Sequence, residues 1–81
     1  MVSVVPNPTV DEADLILARS LERSGFLALY DALGAEVLTL VVPSDQSRMP
    51  FSTAALIPGL YHFAVRSNGL IIGAGKLSII R

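Results

Sequence analysis

Few side chains in this sequence could do chemistry, and His62 comes first because it is the only histidine. A catalytic histidine needs a nucleophile within hydrogen-bond reach and a third group that orients its ring. Ser52, Thr53 and Ser67 carry hydroxyl groups, but their spacing singles out none of them as the partner of His62. The chain has no cysteine, so the thiolate ligands of a zinc site are also missing. We therefore expect His62 to face solvent from a strand.

Two short stretches imitate the motifs of nucleotide-binding proteins. The tetrapeptide DEAD at Asp11–Asp14 would act in nucleotide hydrolysis only behind a phosphate-binding loop, and no such loop precedes it. The stretch GLIIGAGKL imitates a P-loop, which needs glycine where Leu70 stands and serine or threonine where Leu77 stands. Neither match survives this test. The sequence thus predicts a protein that is not an enzyme and that binds no cofactor or metal.

Composition predicts one small and unusually apolar domain. The chain has 81 residues, of which 52% are hydrophobic. Its six basic and seven acidic residues are spread along the sequence, so no nucleic-acid surface is predicted. No apolar run approaches the ~18 residues of a membrane-spanning helix, and the first residues do not resemble a signal peptide. We interpret residues 1–81 as a single domain and as a fragment of a longer protein.

Turn residues divide the chain at the spacing typical of a small all-β domain, about one turn every 8–12 residues. Between the turns lie seven apolar stretches: Val2–Val5, Asp14–Ala18, Gly25–Asp31, Ala35–Val42, Met49–Ala54, Gly59–Ser67 and Leu70–Ile80. This pattern predicts an antiparallel β-sandwich with at most one helical turn. Residues 11–25 would also suit a short amphipathic helix, but the turn spacing favours a strand over the segment DLILA.

Two hairpins are signalled by their turn residues. In the first, Asp31 can open the turn through its side chain and Gly34 can supply the positive φ that closes it. In the second, Asn68–Gly69 is a pair that strongly favours a two-residue hairpin turn. Gly73 and Gly75 weaken the middle of the last strand, which indicates a bulge or a twist there.

The alternation of apolar residues predicts the core. The residues expected to be buried are Leu15, Leu17, Leu27, Leu29, Val37, Phe51, Tyr61, Phe63, Val65, Leu77 and Ile79. The hairpin Gly25–Val42 is apolar on both faces, whereas an isolated sandwich should have one polar face per sheet. We therefore predict self-association of the domain at high concentration, through these apolar strands or through open sheet edges.

The N-terminal segment VVPNPTV holds two prolines in three positions. Neither Pro6 nor Pro8 can donate an N–H to a sheet, and each favours an extended predecessor. The segment therefore predicts an edge strand over Val2–Val5 that is followed by a fixed kink.

Four segments taken in order, VVPNPT, LYDALGAEV, LIPGLYHFAV and NGLIIGAGKLSII, resemble the type A C-terminal sorting domain of the Bacteroidetes type nine secretion system (Por secretion system). The resemblance covers residues 4–81 at family-like spacing. The motif residues of that family fall on Pro6, Asn7, Pro8, Gly34, Gly59, Tyr61, Gly69 and Lys76. One departure is Ala35, which stands where the family usually has a basic residue.

The resemblance implies a fold and a function. The family fold is a seven-stranded antiparallel immunoglobulin-like β-sandwich, covalently linked to a cargo protein. It directs the cargo from the periplasm through an outer-membrane translocon to the cell surface or the medium. A sortase-like peptidase then removes the domain, and the cargo is commonly joined to anionic lipopolysaccharide.

The resemblance also suggests how the domain would be used. The segment containing Pro6 and Pro8 would be the point where a linker from the cargo meets the first strand. The hairpin Gly59–Ile80 would dock on a translocon-associated receptor, and an exposed edge could accept a partner strand.

Two other functions compete with this interpretation. The runner-up is an autonomous immunoglobulin-like adhesion or carbohydrate-binding module. Five aromatic residues and no tryptophan are few for a sugar platform. A structural dimerisation domain comes third, favoured by the strands that are apolar on both faces.

Overall fold

A computed structural model describes residues 2–81, which form seven β-strands and, within that range, no helix. The strands are β1 (Val2–Val5), β2 (Glu12–Leu17), β3 (Gly25–Tyr30), β4 (Glu36–Val42), β5 (Arg48–Ser52), β6 (Gly59–Ser67) and β7 (Leu70–Ile79). Every predicted strand is present, with its ends within two residues of the expected positions. Strand β2 replaces the alternative helix. The described residues include no helix long and apolar enough to cross a membrane.

The strands form two antiparallel sheets packed as a sandwich, which confirms the predicted fold class. One sheet has the order β1-β2-β5 and the other the order β4-β3-β6-β7. In a constant-type immunoglobulin domain the fourth strand pairs with the fifth. Here β4 pairs with β3 instead, so the second sheet gains a strand and the first loses one.

The core lies between the two sheets, where the predicted residues of β2, β3, β5, β6 and β7 meet. The predicted buried residues that the structure confirms are Leu15, Leu17, Leu27, Leu29, Phe51, Tyr61, Phe63, Val65, Leu77 and Ile79. The core also contains Val4, Ala13, Leu21 and Val42, which were not predicted.

The prediction for Val37 is wrong, since this side chain is 38% exposed. The register between β3 and β4 shifts by one residue between Leu29 and Tyr30, so β4 has an extra residue at that point. Beyond the shift, Leu38 packs against the core and Val42 is fully buried. From Leu38 onward the inward positions of β4 are therefore the even-numbered ones, and both Glu36 and Val37 face outward.

The two glycines of β7 are required by packing. A Cβ on Gly73 would lie 2.5 Å from Val2 Cγ2, and a Cβ on Gly75 would lie 2.8 Å from Phe63 Cε2. The predicted bulge is also present, because Ile72 is left out of the β6–β7 register immediately before Gly73. Glycine at these positions lets β1 and the core side chains approach the backbone of β7.

We expect Gly73→Ala to destabilise the domain by about 1–3 kcal/mol, because the added methyl group overlaps Val2. Without the overlap, the same change would stabilise the domain by about 0.4–1 kcal/mol, because alanine lowers the conformational entropy of the unfolded chain. Urea unfolding measures the sign of the effect. Ala74→Ser, at an exposed position of the same strand, is the control and should be nearly neutral. Unchanged or increased stability of Gly73→Ala would contradict the packing argument.

Candidate functional site

The segment Pro6–Pro8 follows β1 and runs along the free edge of β7, and both of its X-Pro peptide bonds are cis. The Asn7 side chain provides the contact: its Nδ2 donates to the carbonyl of Lys76 at 2.9 Å, and its Oδ1 accepts from the N–H of Ser78 at 3.0 Å. The interpretation of this segment as the point where a linker reaches the first strand is therefore wrong. The segment attaches the N-terminal part of the domain to its last strand.

Thr9 continues this attachment with backbone hydrogen bonds. Its N–H donates to the carbonyl of Ser78 and its carbonyl accepts from the N–H of Ile80, each at 2.9 Å. Thr9 and Ile79 form an isolated parallel bridge. Residues 7–9 thus act as a short extra strand on β7, with the side-chain amide of Asn7 replacing one peptide group. The prolines donate no N–H, so the side chain of Asn7 supplies the donor.

Two buried threonines connect this edge to the rest of the sandwich. Thr9 and Thr53 are both fully buried. The hydroxyl of Thr9 donates to the carbonyl of Glu12, and the hydroxyl of Thr53 donates to the carbonyl of Val10 at 3.3 Å. The N–H of Thr53 also donates to the carbonyl of Asp11 at 2.7 Å. Both hydroxyls are therefore satisfied, as buried polar groups must be.

Arg81 completes this group of contacts. Its guanidinium donates to the carbonyl of Thr53 at 2.7 Å and to the carbonyl of Leu56, and its Nε lies 3.4 Å from the Asp11 carboxylate. We call Asn7, Thr9, Thr53 and Arg81 the terminal cluster. Of these four residues, only Asn7 belongs to the predicted motif set, and its contact with β7 was not predicted. No local pattern marks the others, because the partners of Arg81 lie 25 to 70 residues away in the chain.

Tyr61 has a structural role that accounts for its place in the motif. It lies near the start of β6, is buried, and its hydroxyl donates to the carbonyl of Ile57 four residues earlier. This arrangement is the tyrosine corner of immunoglobulin-like domains, in which such a bond holds the loop before the sixth strand. Tyr61 also pairs with Leu77 of β7. The residue therefore anchors the loop between β5 and β6 next to the terminal cluster.

Two of the three motif glycines, Gly34 and Gly69, serve the turns that were predicted. Gly34 has φ 85° and closes the β3–β4 turn, in which the carboxylate of Asp31 accepts from the N–H groups of Leu33 and Ala35. In the β6–β7 turn Asn68 and Gly69 have φ 54° and 77°, which is the two-residue hairpin expected for this pair.

The structure brings together part of the predicted motif set and separates the rest. Pro6, Asn7 and Pro8 lie along β7 next to Lys76, and the start of β6 lies on the other side of β7, where Gly59 pairs with Ile79. The strand directions place the β3–β4 turn at this same end of the sandwich. The β6–β7 turn, with Gly69, lies at the opposite end. The motif therefore combines one contact region with two separate turns.

Lys76 and His62 are neighbours in the β6–β7 register, and both side chains are exposed on the outward face of the sheet. The outward orientation of His62 was predicted. Thr53, one of the hydroxyl residues considered beside it, is instead buried in the terminal cluster. Among residues 2–81 no group of three or more His, Asp and Glu side chains is placed to hold a metal ion. Around Lys76 the sheet presents a cation and hydrogen-bonding side chains to solvent.

The surface grooves of the described region lie away from the terminal cluster. One groove of about 320 Å³ is lined by Val2, Leu17, Leu21 and Ile72 together with residues 18–20 and Glu22. It lies between the start of β1 and the bulge of β7. No residue of the predicted motif set lines it.

No family model and no curated protein shows a significant match to this chain.

We expect Tyr61→Phe to lower the free energy of unfolding by about 1–2 kcal/mol, because the carbonyl of Ile57 loses its partner in a partly buried position. Tyr30→Phe is the matched control, since Tyr30 is only half-buried at the end of β3. Urea unfolding of the two variants makes the comparison. Equal effects of the two changes would contradict the role of the tyrosine corner.

We expect Asn7→Ala to expose the edge of β7, because the N–H of Ser78 and the carbonyl of Lys76 both lose their partner. Hydrogen exchange should accelerate at the amide of Ser78 and remain slow at core amides such as that of Val65. Gln46→Ala removes an exposed side-chain amide from the turn after β4 and should leave both rates unchanged. If the amide of Ser78 kept its protection in Asn7→Ala, the edge would not depend on this side chain.

Proposed function

We propose that this chain is a C-terminal secretion signal domain that directs a covalently linked cargo across the outer membrane through the type nine secretion system. The observation that carries the proposal is the contact of Asn7 with Lys76 and Ser78. It joins the first and last motif segments of the resemblance, which lie about 70 residues apart in the chain. These two segments meet only in the folded domain, which supports a signal that is recognised as a folded surface.

The side chain of Lys76 is the group we assign to receptor contact. Asn7 holds the main-chain carbonyl of Lys76 at the edge of β7, and the side chain of Lys76 projects from the outward face of the sheet beside His62. Because the backbone here is already fixed, binding through Lys76 costs mainly the ordering of its side chain. The central turn contributes no cation, because Ala35 replaces the usual basic residue of the family.

Docking through side chains fits this surface better than strand addition at the end of β7. Strand addition needs a free row of N–H and C=O groups. From Lys76 to Ile80 that row is occupied by Asn7 and Thr9. We therefore assign recognition to the outward side chains of the hairpin Gly59–Ile80.

The position of β1 places the cargo linker and the receptor surface at opposite ends of the sandwich. Val2 lies over Gly73, toward the β6–β7 turn, whereas the terminal cluster lies at the other end. A cargo linker that joins β1 at Val2 would leave the domain at the β6–β7 end. A sortase-like peptidase can then reach the linker while a receptor holds the surface around Lys76.

The direct test fuses residues 1–81 to a periplasm-targeted reporter in a host that has the type nine system. Lys76→Ala should reduce the reporter at the cell surface and in the medium without changing Tm, because the side chain is exposed and its backbone contacts remain. Arg23→Ala removes an exposed cation from the β2–β3 connection and is the matched control. Equal export of the two variants would exclude a specific contact by Lys76.

A second pair of variants tests whether the folded surface is required. Gly69→Val places a β-branched residue at φ 77°, so it should lower Tm by about 5 °C or more and retain the reporter in the periplasm. Truncation after Ser67 removes the whole of β7 and should abolish export. Normal export of the truncated fusion would refute the sorting proposal.

A further inference from the structure

The outward face of the β4-β3-β6-β7 sheet, which we call the outer face, has an apolar row that nothing in the described region covers. The row nearest the β6–β7 turn contains Val41, Phe26, Arg66 and Ile71, in the order β4-β3-β6-β7. Val41, Phe26 and Ile71 are 57%, 53% and 60% exposed. Large apolar side chains clustered on one sheet face mark an interaction surface more often than scattered ones do.

The next two rows of the outer face are small and polar, and beyond them only β6 and β7 continue, where Leu60 pairs with Ser78. The middle row contains Thr39, Ala28, Ala64 and Ala74, and the last row contains Glu36, Tyr30, His62 and Lys76. The alanines form a flat floor on which a second sheet can lie without steric conflict. The extra residue of the β4 bulge, Val37, lies beside Glu36 and adds to the apolar area.

The outer face is complementary to itself. Consider a two-fold axis that runs parallel to the strands, in the plane between two facing copies and midway between β3 and β6. It places β4 of one copy over β7 of the other, and β3 over β6. In the first row it places Val41 against Ile71 and Phe26 against Arg66, which suits a cation–π contact. In the last row it places Glu36 against Lys76 and Tyr30 against His62. Every charge then meets an opposite charge or an aromatic ring.

The other two-fold axis, perpendicular to the strands, gives a poor match. It exchanges the first and last rows, so Arg66 meets His62 and the charged groups of Lys76 and Glu36 meet Ile71 and Val41. Burying a charge against an apolar side chain costs free energy, and no opposite charge offsets this cost. The pattern of charges therefore selects the axis parallel to the strands.

We propose that the outer face is the interface of a symmetric dimer of this chain, formed about that axis. Strand and residue spacings give the face an area of roughly 20 by 15 Å, below the about 800 Å² per partner of a standard interface. The dimer is therefore weak and forms at high protein concentration. It covers Lys76, so dimer and receptor compete for one surface, but its existence does not depend on the secretion proposal.

Sedimentation velocity of the purified chain, from micromolar to millimolar concentration, tests the dimer. The wild type should shift from monomer to dimer across this range. Val41→Glu should stay monomeric, because each added carboxylate would face Ile71. Leu33→Glu places the same charge at a residue of the β3–β4 turn that is 94% exposed and lies beyond the last row of the outer face, so it should dimerise like the wild type. A monomeric wild type at millimolar concentration, or a dimeric Val41→Glu, would overturn the proposal.

Charge reversal tests the axis itself. Glu36→Lys and Lys76→Glu should each weaken dimerisation about tenfold, since two symmetry-related attractions become repulsions. The double variant Glu36→Lys/Lys76→Glu should restore the wild-type dissociation constant. Circular dichroism checks that each variant keeps its β-structure. If both single changes weaken the dimer and the double variant does not restore it, this arrangement is excluded. Pairing through the free edge of β4 would give that result, because the double change would not restore it.

Discussion

The hydrogen bonds between residues 7–9 and β7 hold together two parts of the chain that are joined by no continuous sheet. Strand β1 belongs to the three-stranded sheet and β7 to the four-stranded sheet, so only side-chain packing would otherwise connect these two edges. Asn7 and Thr9 add four hydrogen bonds across this gap. The buried hydroxyls of Thr9 and Thr53 and the guanidinium of Arg81 then tie the same region to the loop before β6. One polar cluster therefore connects the core, the edge of β7 and the loop before β6.

The same contacts protect the sandwich from unwanted strand pairing. Small sandwiches cannot close their sheets into barrels and must cover each edge by other means. Here a side-chain amide and a short parallel segment cover the last residues of β7, and Pro50 interrupts the donors of the edge strand β5. The edge strand β4 has no proline and one charged residue, so its own sequence protects it little.

Much of the fold could be predicted because its signals are local. The Asn68–Gly69 and Asp31–Gly34 turns set the hairpins, and period-two alternation located the buried positions of β2, β6 and β7. Val37 was misplaced because a one-residue bulge reverses the face of a strand, and nothing in the local sequence of β4 marks that shift.

The candidate site was less predictable, because its contacts join distant parts of the chain. Two prolines around Asn7 indicated an edge and a kink, but not the strand that the side chain would bind. Thr9, Thr53 and Arg81 have no distinctive spacing, and their roles depend on partners that only the folded chain brings near. The resemblance identified Lys76 and Asn7 separately, while the geometry connects them.

The parallel course of β1 and β7 has a mechanical consequence. Both strands run from the β6–β7 end of the sandwich toward the terminal cluster, with Val2 over Gly73 and Thr9 beside Ile79. Tension applied between Val2 and Arg81 therefore pulls the two segments past each other along their length. The four hydrogen bonds of Asn7 and Thr9 would then be loaded together in shear and could not open one after another. A domain with this geometry resists extension from its ends and yields more readily to a partner that peels residues 7–9 sideways.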